Sequence, residues 1–151
     1  MALKLACLAC GQANRVPPEK LGAGPKCGTC GAKLMPTVPK DISFDILQKA
    51  ARMDEVPLIV DFWAAWCGPC RMMAPDFAKA AAALAGRARF VKLDTEAHPQ
   101  AGGTYGIRGI PLLVAFADGR ELGRQTGAMP ATRIADWVFG LAGHRAERPR
   151  G

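Results

Sequence analysis

Two cysteines stand three positions apart at the junction between a predicted strand and a predicted helix. Residues 66–70, Trp-Cys-Gly-Pro-Cys, follow the apolar run Leu58–Trp63 and precede an alanine-rich run that ends near Leu84. The first run is short, apolar and partly β-branched, which is typical of a buried strand. A thiolate at the start of the following helix is stabilised by unpaired backbone N–H groups and by the helix dipole. These residues predict an α/β arrangement whose dithiol exchanges with disulfides.

The other four cysteines form two further Cys-x-x-Cys pairs, Cys7/Cys10 and Cys27/Cys30. A glycine follows each pair, where the turn requires a positive φ. Two such knuckles supply four sulfurs in a tetrahedral array, and this arrangement favours one structural Zn²⁺. The segment has few large apolar residues, so metal binding is expected to supply its folding free energy. Two structural disulfides or a second redox pair are the alternatives.

Composition divides the chain into four parts. Residues 1–35 are the predicted zinc-binding segment, and 36–40 form a linker in which two prolines favour an extended backbone. Residues 41–143 are the right size for one small domain. Residues 144–151 form a basic tail, expected to fray.

The central part alternates between predicted helices and strands. We expect strands at 58–63, 89–94, 111–117 and 121–126. The turn at Asp118-Gly119 predicts that the last two strands form a hairpin. Helices are expected at 41–52 with Ser43 or Asp41 as the cap, at 67–84 with a kink at Pro75, weakly at 97–106, and at 131–141. This order predicts a mixed central sheet flanked by helices on both faces.

Charge and hydropathy exclude several functions. The 151 residues carry a formal charge of +7, of which residues 1–40 hold +5 and 144–151 hold +2. No recognition helix or aromatic platform accompanies this charge, so we expect no nucleic-acid partner. No apolar run is long enough to span a bilayer, and the N-terminus lacks a secretory pattern. We therefore expect a cytoplasmic protein, in which Cys-x-x-Cys pairs indicate redox or metal sites.

The stretches 60–64 (Val-Asp-Phe-Trp-Ala), 66–70 and 107–111 (Ile-Arg-Gly-Ile-Pro) together resemble the thioredoxin family. The resemblance covers roughly residues 41–143 and implies the thioredoxin fold. We expect Cys67 to be the nucleophile that attacks a client disulfide, and Cys70 to resolve the mixed disulfide. Gly68 and Pro69 keep the turn between them compact. A third metal knuckle is the alternative, but no spare thiol pair remains to complete it.

Asp61 is a carboxylate inside an apolar strand. Burial near the dithiol would raise its pKa and make it a general base for the Cys70 proton. A solvent-facing strand position is the alternative. The resemblance implies a buried aspartate here and a lysine, Lys92, that tunes it. An ordinary surface lysine is an equal alternative for Lys92.

The resemblance also implies a substrate-binding face. Ile110-Pro111 resembles the cis-proline loop that faces the dithiol, where the backbone would pair with an extended client segment. Leu112 stands where a threonine is common, which predicts a more apolar rim. The residues expected on this face are Trp66, Gly109, Ile110, Pro111 and Gly127.

A four-cysteine zinc-ribbon segment ahead of a thioredoxin domain resembles the zinc-containing thioredoxins of bacteria. This implies a protein-disulfide reductase, recharged by NADPH through thioredoxin reductase, with oxidised cytoplasmic proteins as clients, and we expect it to be a monomer. An interaction or redox-sensing module on the same scaffold, and an oxidase or isomerase, are the alternatives. The role of zinc in activity stays open.

Overall fold

The computed structural model describes the backbone of residues 1–147 and the side chains of residues 1–141. It contains two sheets. An antiparallel hairpin of β1 (Leu3–Ala6) and β2 (Ala13–Val16) forms the first. The second has five strands: β3 (Lys40–Asp41), β4 (Leu58–Trp63), β5 (Arg89–Asp94), β6 (Leu112–Ala117) and β7 (Arg120–Thr126). Its spatial order is β3-β5-β4-β6-β7.

The predicted mixed sheet is confirmed. β4 pairs with β5 in parallel and with β6 antiparallel, so it lies at the centre of the sheet. Its first five residues are buried, as an apolar run between two neighbours requires. β6 and β7 form the predicted hairpin, and both turn residues, Asp118 and Gly119, have positive φ. That conformation matches the twist of the strands, which is why Asp-Gly is favoured there.

Within residues 1–147, four α-helices accompany the sheet: α1 (Phe44–Met53), α2 (Gly68–Ala83), α3 (Gln100–Tyr105) and α4 (Ala131–Glu147). Ser43 caps α1 by accepting a hydrogen bond from the Ile46 N–H at 3.2 Å. Asp41, the other predicted cap, lies in β3 instead. The final helix continues six residues past its expected end, so residues 144–147 of the predicted tail are helical, and 148–151 lie outside the described residues.

Apolar side chains fill both faces of the sheet. α1 and α3 cover a cluster that includes Leu47, Phe62 and Phe116. α2 and α4 cover a second cluster, which includes Ile59, Phe77 and Ile134. Leu112 is 3% exposed and packs in the first cluster. The expectation that it makes the substrate rim more apolar is therefore wrong, because its side chain faces the core.

Residues 1–35 pack against the amino-terminal end of the sheet. Arg89, at the start of β5, and Asp54, just before β4, form an ion pair in which both side chains are fully buried. The Arg89 guanidinium also donates to the Ala6 carbonyl at 2.6 Å and to the Leu34 carbonyl at 3.0 Å. Asp54 accepts a hydrogen bond from the Ala6 N–H at 3.0 Å. The segment is thus joined to the central sheet through buried polar groups as well as apolar contacts.

None of the helices among residues 1–147 is long and apolar enough to cross a membrane.

Candidate active site and metal centre

The dithiol sits where β4 ends and α2 begins. Cys67 and Cys70 are joined by a disulfide, and Cys67 is the N-cap residue of α2. Its sulfur accepts a hydrogen bond from the Cys70 N–H at 3.2 Å. Gly68 and Pro69 occupy the first turn of the helix, where proline is tolerated because that N–H has no helical partner. A thiolate formed at Cys67 is thus stabilised by the helix N-terminus.

The Ile110-Pro111 loop faces the disulfide. This peptide bond is cis, and the Ile110 carbonyl lies 3.8 Å from the Cys67 sulfur. The Gly127 N–H donates to the Pro111 carbonyl at 2.9 Å, with Gly127 at φ +94°. Gly127 therefore fixes the loop at Pro111, while Ile110 lies against the dithiol.

A groove of about 510 Å³ opens beside the dithiol. Trp66, which is 65% exposed, forms one wall. Ile107, Gly109 and Ile110 also line the groove, as does Arg108, so the surface offers apolar groups and a cation. Such a surface can accept an extended peptide segment through main-chain hydrogen bonds and apolar contacts.

Asp61 is fully buried in β4. Neither carboxylate oxygen has a hydrogen-bond partner among the described residues. Burial raises the pKa of Asp61 to about 7, and the positive charge of Lys92 partly opposes that rise. Lys92 lies opposite Asp61 in the parallel register of β4 and β5. A carboxyl group that gains and loses a proton near neutral pH is suited to acid–base catalysis.

Lys92 also contacts an aromatic ring. Its ammonium group lies 4.5 Å from the centre of the Trp63 ring. Trp63 packs against Cys67 and Cys70 and is partly buried. The indole therefore lies between the lysine that acts on Asp61 and the dithiol, a contact that residue spacing did not reveal.

The four remaining cysteines come together at one point. Their sulfurs all lie within 4.8 Å of one another. Cys7 is 3.5 Å from Cys30, and Cys10 is 3.7 Å from Cys27. Tetrahedral coordination at a Zn–S distance of about 2.3 Å places sulfurs about 3.8 Å apart, so this arrangement fits one metal ion. Four thiolates are a donor set for zinc or for iron.

Local backbone geometry produces this cluster. The predicted positive φ of Gly11 and Gly31 is confirmed at +81° and +79°. Each of these residues donates its N–H to the carbonyl of the first cysteine of its pair, at 2.9 Å. The pKa of Cys27 is lowered to about 6, first by the backbone N–H of Cys30 and then by the side chain of Asn14. The second knuckle is thus already arranged to hold a thiolate.

Comparison with known proteins finds a matching family model for the region of the dithiol and another for the region of the four cysteines. A family model described as Thioredoxin matches residues 40–139, and one described as Thioredoxin 2, N-terminal, matches residues 6–32. Thioredoxin C-3 of Corynebacterium nephridii is 37% identical over 134 residues, which are 89% of this chain and 92% of that protein.

The chain belongs to the thioredoxin family.

Further relatives repeat the match over the central domain. Thioredoxin of Rhodospirillum rubrum is 44% identical over 82 residues, which cover 54% of this chain and 79% of that protein. The crystal structure of chloroplastic thioredoxin z superposes with a TM-score of 0.65 at 31% identity, covering 70% of this chain and 96% of that one.

The thioredoxin fold with an N-terminal four-cysteine cluster is confirmed. The protein is a thiol–disulfide oxidoreductase, and Cys67 and Cys70 match the redox-active pair of that family.

Proposed function

We propose that this thioredoxin is a protein-disulfide reductase. The observation that carries the proposal is the disulfide at the N-terminus of α2, which lies against the Ile110 carbonyl and beside an open groove. That arrangement supplies a stabilised thiolate, a resolving thiol and a surface for a peptide.

The reaction proceeds in two exchanges. The Cys67 thiolate attacks one sulfur of a client disulfide, a Cys67–client bond forms, and the second client sulfur leaves as a thiolate that takes up a proton. Cys70 then loses its proton and attacks the Cys67 sulfur. The Cys67–Cys70 disulfide forms, and the first client sulfur leaves as a thiolate. The client gains two electrons and the thioredoxin dithiol loses two.

Asp61 is the proposed base for the second exchange. It is buried in the strand that leads to the dithiol, and its pKa of about 7 lets it accept the Cys70 proton near neutral pH. Lys92 adjusts that pKa through its charge. Asp61→Asn is expected to slow the resolution of the mixed disulfide more than its formation, which stopped-flow measurement of the two phases would separate. Equal slowing of both phases would contradict this role.

Clients are proposed to bind as extended segments across the Ile110-Pro111 loop. The backbone at Ile110 would pair with the client, Trp66 and Gly109 would border it, and Gly127 would hold the Pro111 carbonyl in place. We infer that the clients are oxidised cytoplasmic proteins. Thioredoxin reductase, using NADPH, would regenerate the dithiol, and the thioredoxin would act as a monomer in the cytoplasm.

The four-cysteine cluster is proposed to hold one structural Zn²⁺. Cys7, Cys10, Cys27 and Cys30 would occupy all four tetrahedral positions, so the ion would stabilise the fold and leave no open position for a substrate. Elemental analysis of the purified chain should find one zinc per molecule. One iron per molecule, or no metal, would contradict the assignment.

Insulin reduction coupled to NADPH and thioredoxin reductase tests the activity. The full chain should turn over, and Cys67→Ser should not, because the attacking sulfur is lost. Cys70→Ser should retain the first exchange and accumulate the mixed disulfide. A folded wild-type chain without turnover would contradict the reductase proposal and favour an interaction or sensing module.

A further inference from the structure

Asn14, in strand β2, connects the two metal knuckles. Its side-chain nitrogen lies 3.0 Å from the Gln12 carbonyl and 3.5 Å from the Cys27 sulfur. Its side-chain oxygen lies 3.0 Å from the Gly28 backbone nitrogen. One amide group thus contacts backbone beside the first knuckle and both the sulfur and the backbone of the second.

The orientation of this amide follows from its neighbours. The Gly28 N–H is a donor, so the Asn14 atom that meets it must be the oxygen. The nitrogen then faces Gln12 and Cys27 with its two N–H groups. The Gln12 carbonyl also accepts the Cys7 N–H at 2.8 Å, which closes the first knuckle. Asn14 and the Cys7 N–H therefore both donate to the Gln12 carbonyl.

The metal centre needs donors of this kind. Four thiolates around a divalent cation carry a net charge of −2, and N–H groups directed at the sulfurs offset that charge. Backbone N–H groups of Ala9 and Cys10 reach the Cys7 sulfur at 3.4 Å, and that of Thr29 reaches Cys27 at 3.4 Å. Asn14 adds a side-chain donor from a separate strand. Its loss would leave Cys27 with fewer donors and would free the two knuckles to move apart.

We propose that Asn14 is a positioning residue of the metal centre, which clamps the two knuckles together and stabilises the Cys27 thiolate toward the bound ion. The proposal rests on the proposed metal site. Partners that orient a metal ligand typically contribute 10–100-fold to metal affinity. Loss of the Asn14 amide should therefore weaken zinc binding by about 10–100-fold and speed zinc release.

Three full-length variants test the proposal, with zinc affinity and release measured against a chromophoric chelator. Asn14→Ala removes all three contacts. Asn14→Asp keeps an oxygen for the Gly28 N–H but places a negative charge where the N–H donors were. Gln12→Ala is the matched control, because it removes an exposed side chain that bonds to the Ala13 carbonyl and leaves the Gln12 carbonyl in place. Cobalt substitution gives a second readout, the thiolate-to-cobalt charge-transfer band.

Asn14→Ala should bind zinc about 10–100-fold more weakly. It should also shift the charge-transfer band to longer wavelength, because Cys27 loses an N–H donor. Asn14→Asp should lose affinity at least as strongly, although it keeps the Gly28 contact. Gln12→Ala should behave as the wild type. Wild-type affinity and spectrum in Asn14→Asp would overturn the proposal, since a merely structural link to Gly28 would then suffice.

Failure of the metal assignment itself gives a different result. A wild-type chain that binds neither zinc nor cobalt would overturn the zinc proposal, and the Asn14 proposal with it. A wild-type chain that binds zinc tightly, with Asn14→Ala equal to it, would overturn the Asn14 proposal alone. Asn14→Asp, which retains the Gly28 contact, keeps the test decisive if Asn14→Ala does not fold.

Discussion

Among single residues, Asp61 stands out in the candidate active site as a buried carboxyl group with no hydrogen-bond partner in the described part of the chain. An ionised carboxylate in such a place is unfavourable, so Asp61 keeps its proton to a pH of about 7. The raised pKa that suits Asp61 to its proposed role as a base also reduces stability. The sequence located Asp61 because a charged residue interrupts an apolar strand. It did not reveal that Lys92 lies over the Trp63 ring, since that contact depends on the pairing of β4 with β5.

The cost of this residue should be visible in the pH dependence of unfolding. The pKa of Asp61 is 3.8 when exposed and about 7 when folded. Between these values the folded state keeps a proton that the unfolded state has lost, so stability falls as pH rises from about 4 to 7 and is level above that range. Asp61→Asn has no such titration. The variant should therefore be more stable than the oxidised wild type, by roughly 4 kcal/mol at pH 8 and far less at pH 4–5.

Urea unfolding of both proteins at several pH values would measure this difference. Changes in metal binding with pH affect both chains and cancel in the comparison. A difference between variant and wild type that does not change with pH would show that Asp61 titrates as an exposed carboxyl group does.

Among the elements, strands with a clear apolar pattern were predicted better than strands without one. The strands 58–63 and 89–94 have the expected bounds, because short apolar runs with flanking breaks mark buried strands clearly. The β1-β2 hairpin was missed, since its four-residue strands mix apolar and polar residues without a recognisable period. Leu112 was placed wrongly because which face of β6 it occupies is set by pairing with β4, not by its neighbours in sequence.

Two glycines on the proposed client face make a matched pair. Gly127 has φ +94°, whereas Gly109 has no positive φ, and neither would bring an added Cβ into contact with other atoms. Gly127→Ala should therefore cost about 1–2 kcal/mol of stability through backbone strain alone. Gly109→Ala should cost a few tenths of a kcal/mol at most. Urea unfolding of both variants measures the contrast, and equal stabilities would mean that the Gly127 backbone relaxes freely.

In the whole molecule, the four-cysteine segment (residues 1–35) and the dithiol lie at opposite ends of the sheet. Arg89 stands at the amino-terminal end of β5, and Asp54 is the C-cap residue of α1, just ahead of β4 in the chain. The dithiol follows the carboxyl end of β4. A six-residue strand separates them by roughly 20 Å. Any effect of the segment on the active site therefore has to pass through the sheet, because the segment does not reach the dithiol.

No sequence pattern pointed to this junction between the segment and the sheet. Arg89 donates to residues 35, 55 and 83 positions away, so no local pattern distinguishes it from an ordinary arginine at the start of a strand. Deletion of residues 1–40 would remove two of its three acceptors and expose the buried pair. We therefore test the junction with substitutions of Arg89 and Asp54 in the full chain, where the four-cysteine segment is still present.

Arg89→Met should lower stability by about 3–5 kcal/mol, because it leaves the Asp54 carboxylate buried without its counter-charge. Adding Asp54→Asn should recover part of that loss, since the amide oxygen can still accept the Ala6 N–H while the charge is gone. Arg87→Met is the control: Arg87 is exposed and contacts the Phe139 ring at 5.1 Å, so its loss should cost less than about 1 kcal/mol. Urea unfolding followed by tryptophan fluorescence measures all three. A double variant no more stable than Arg89→Met would show that the loss comes from the arginine's missing bonds to the Ala6 and Leu34 carbonyls rather than from the unpaired Asp54 charge.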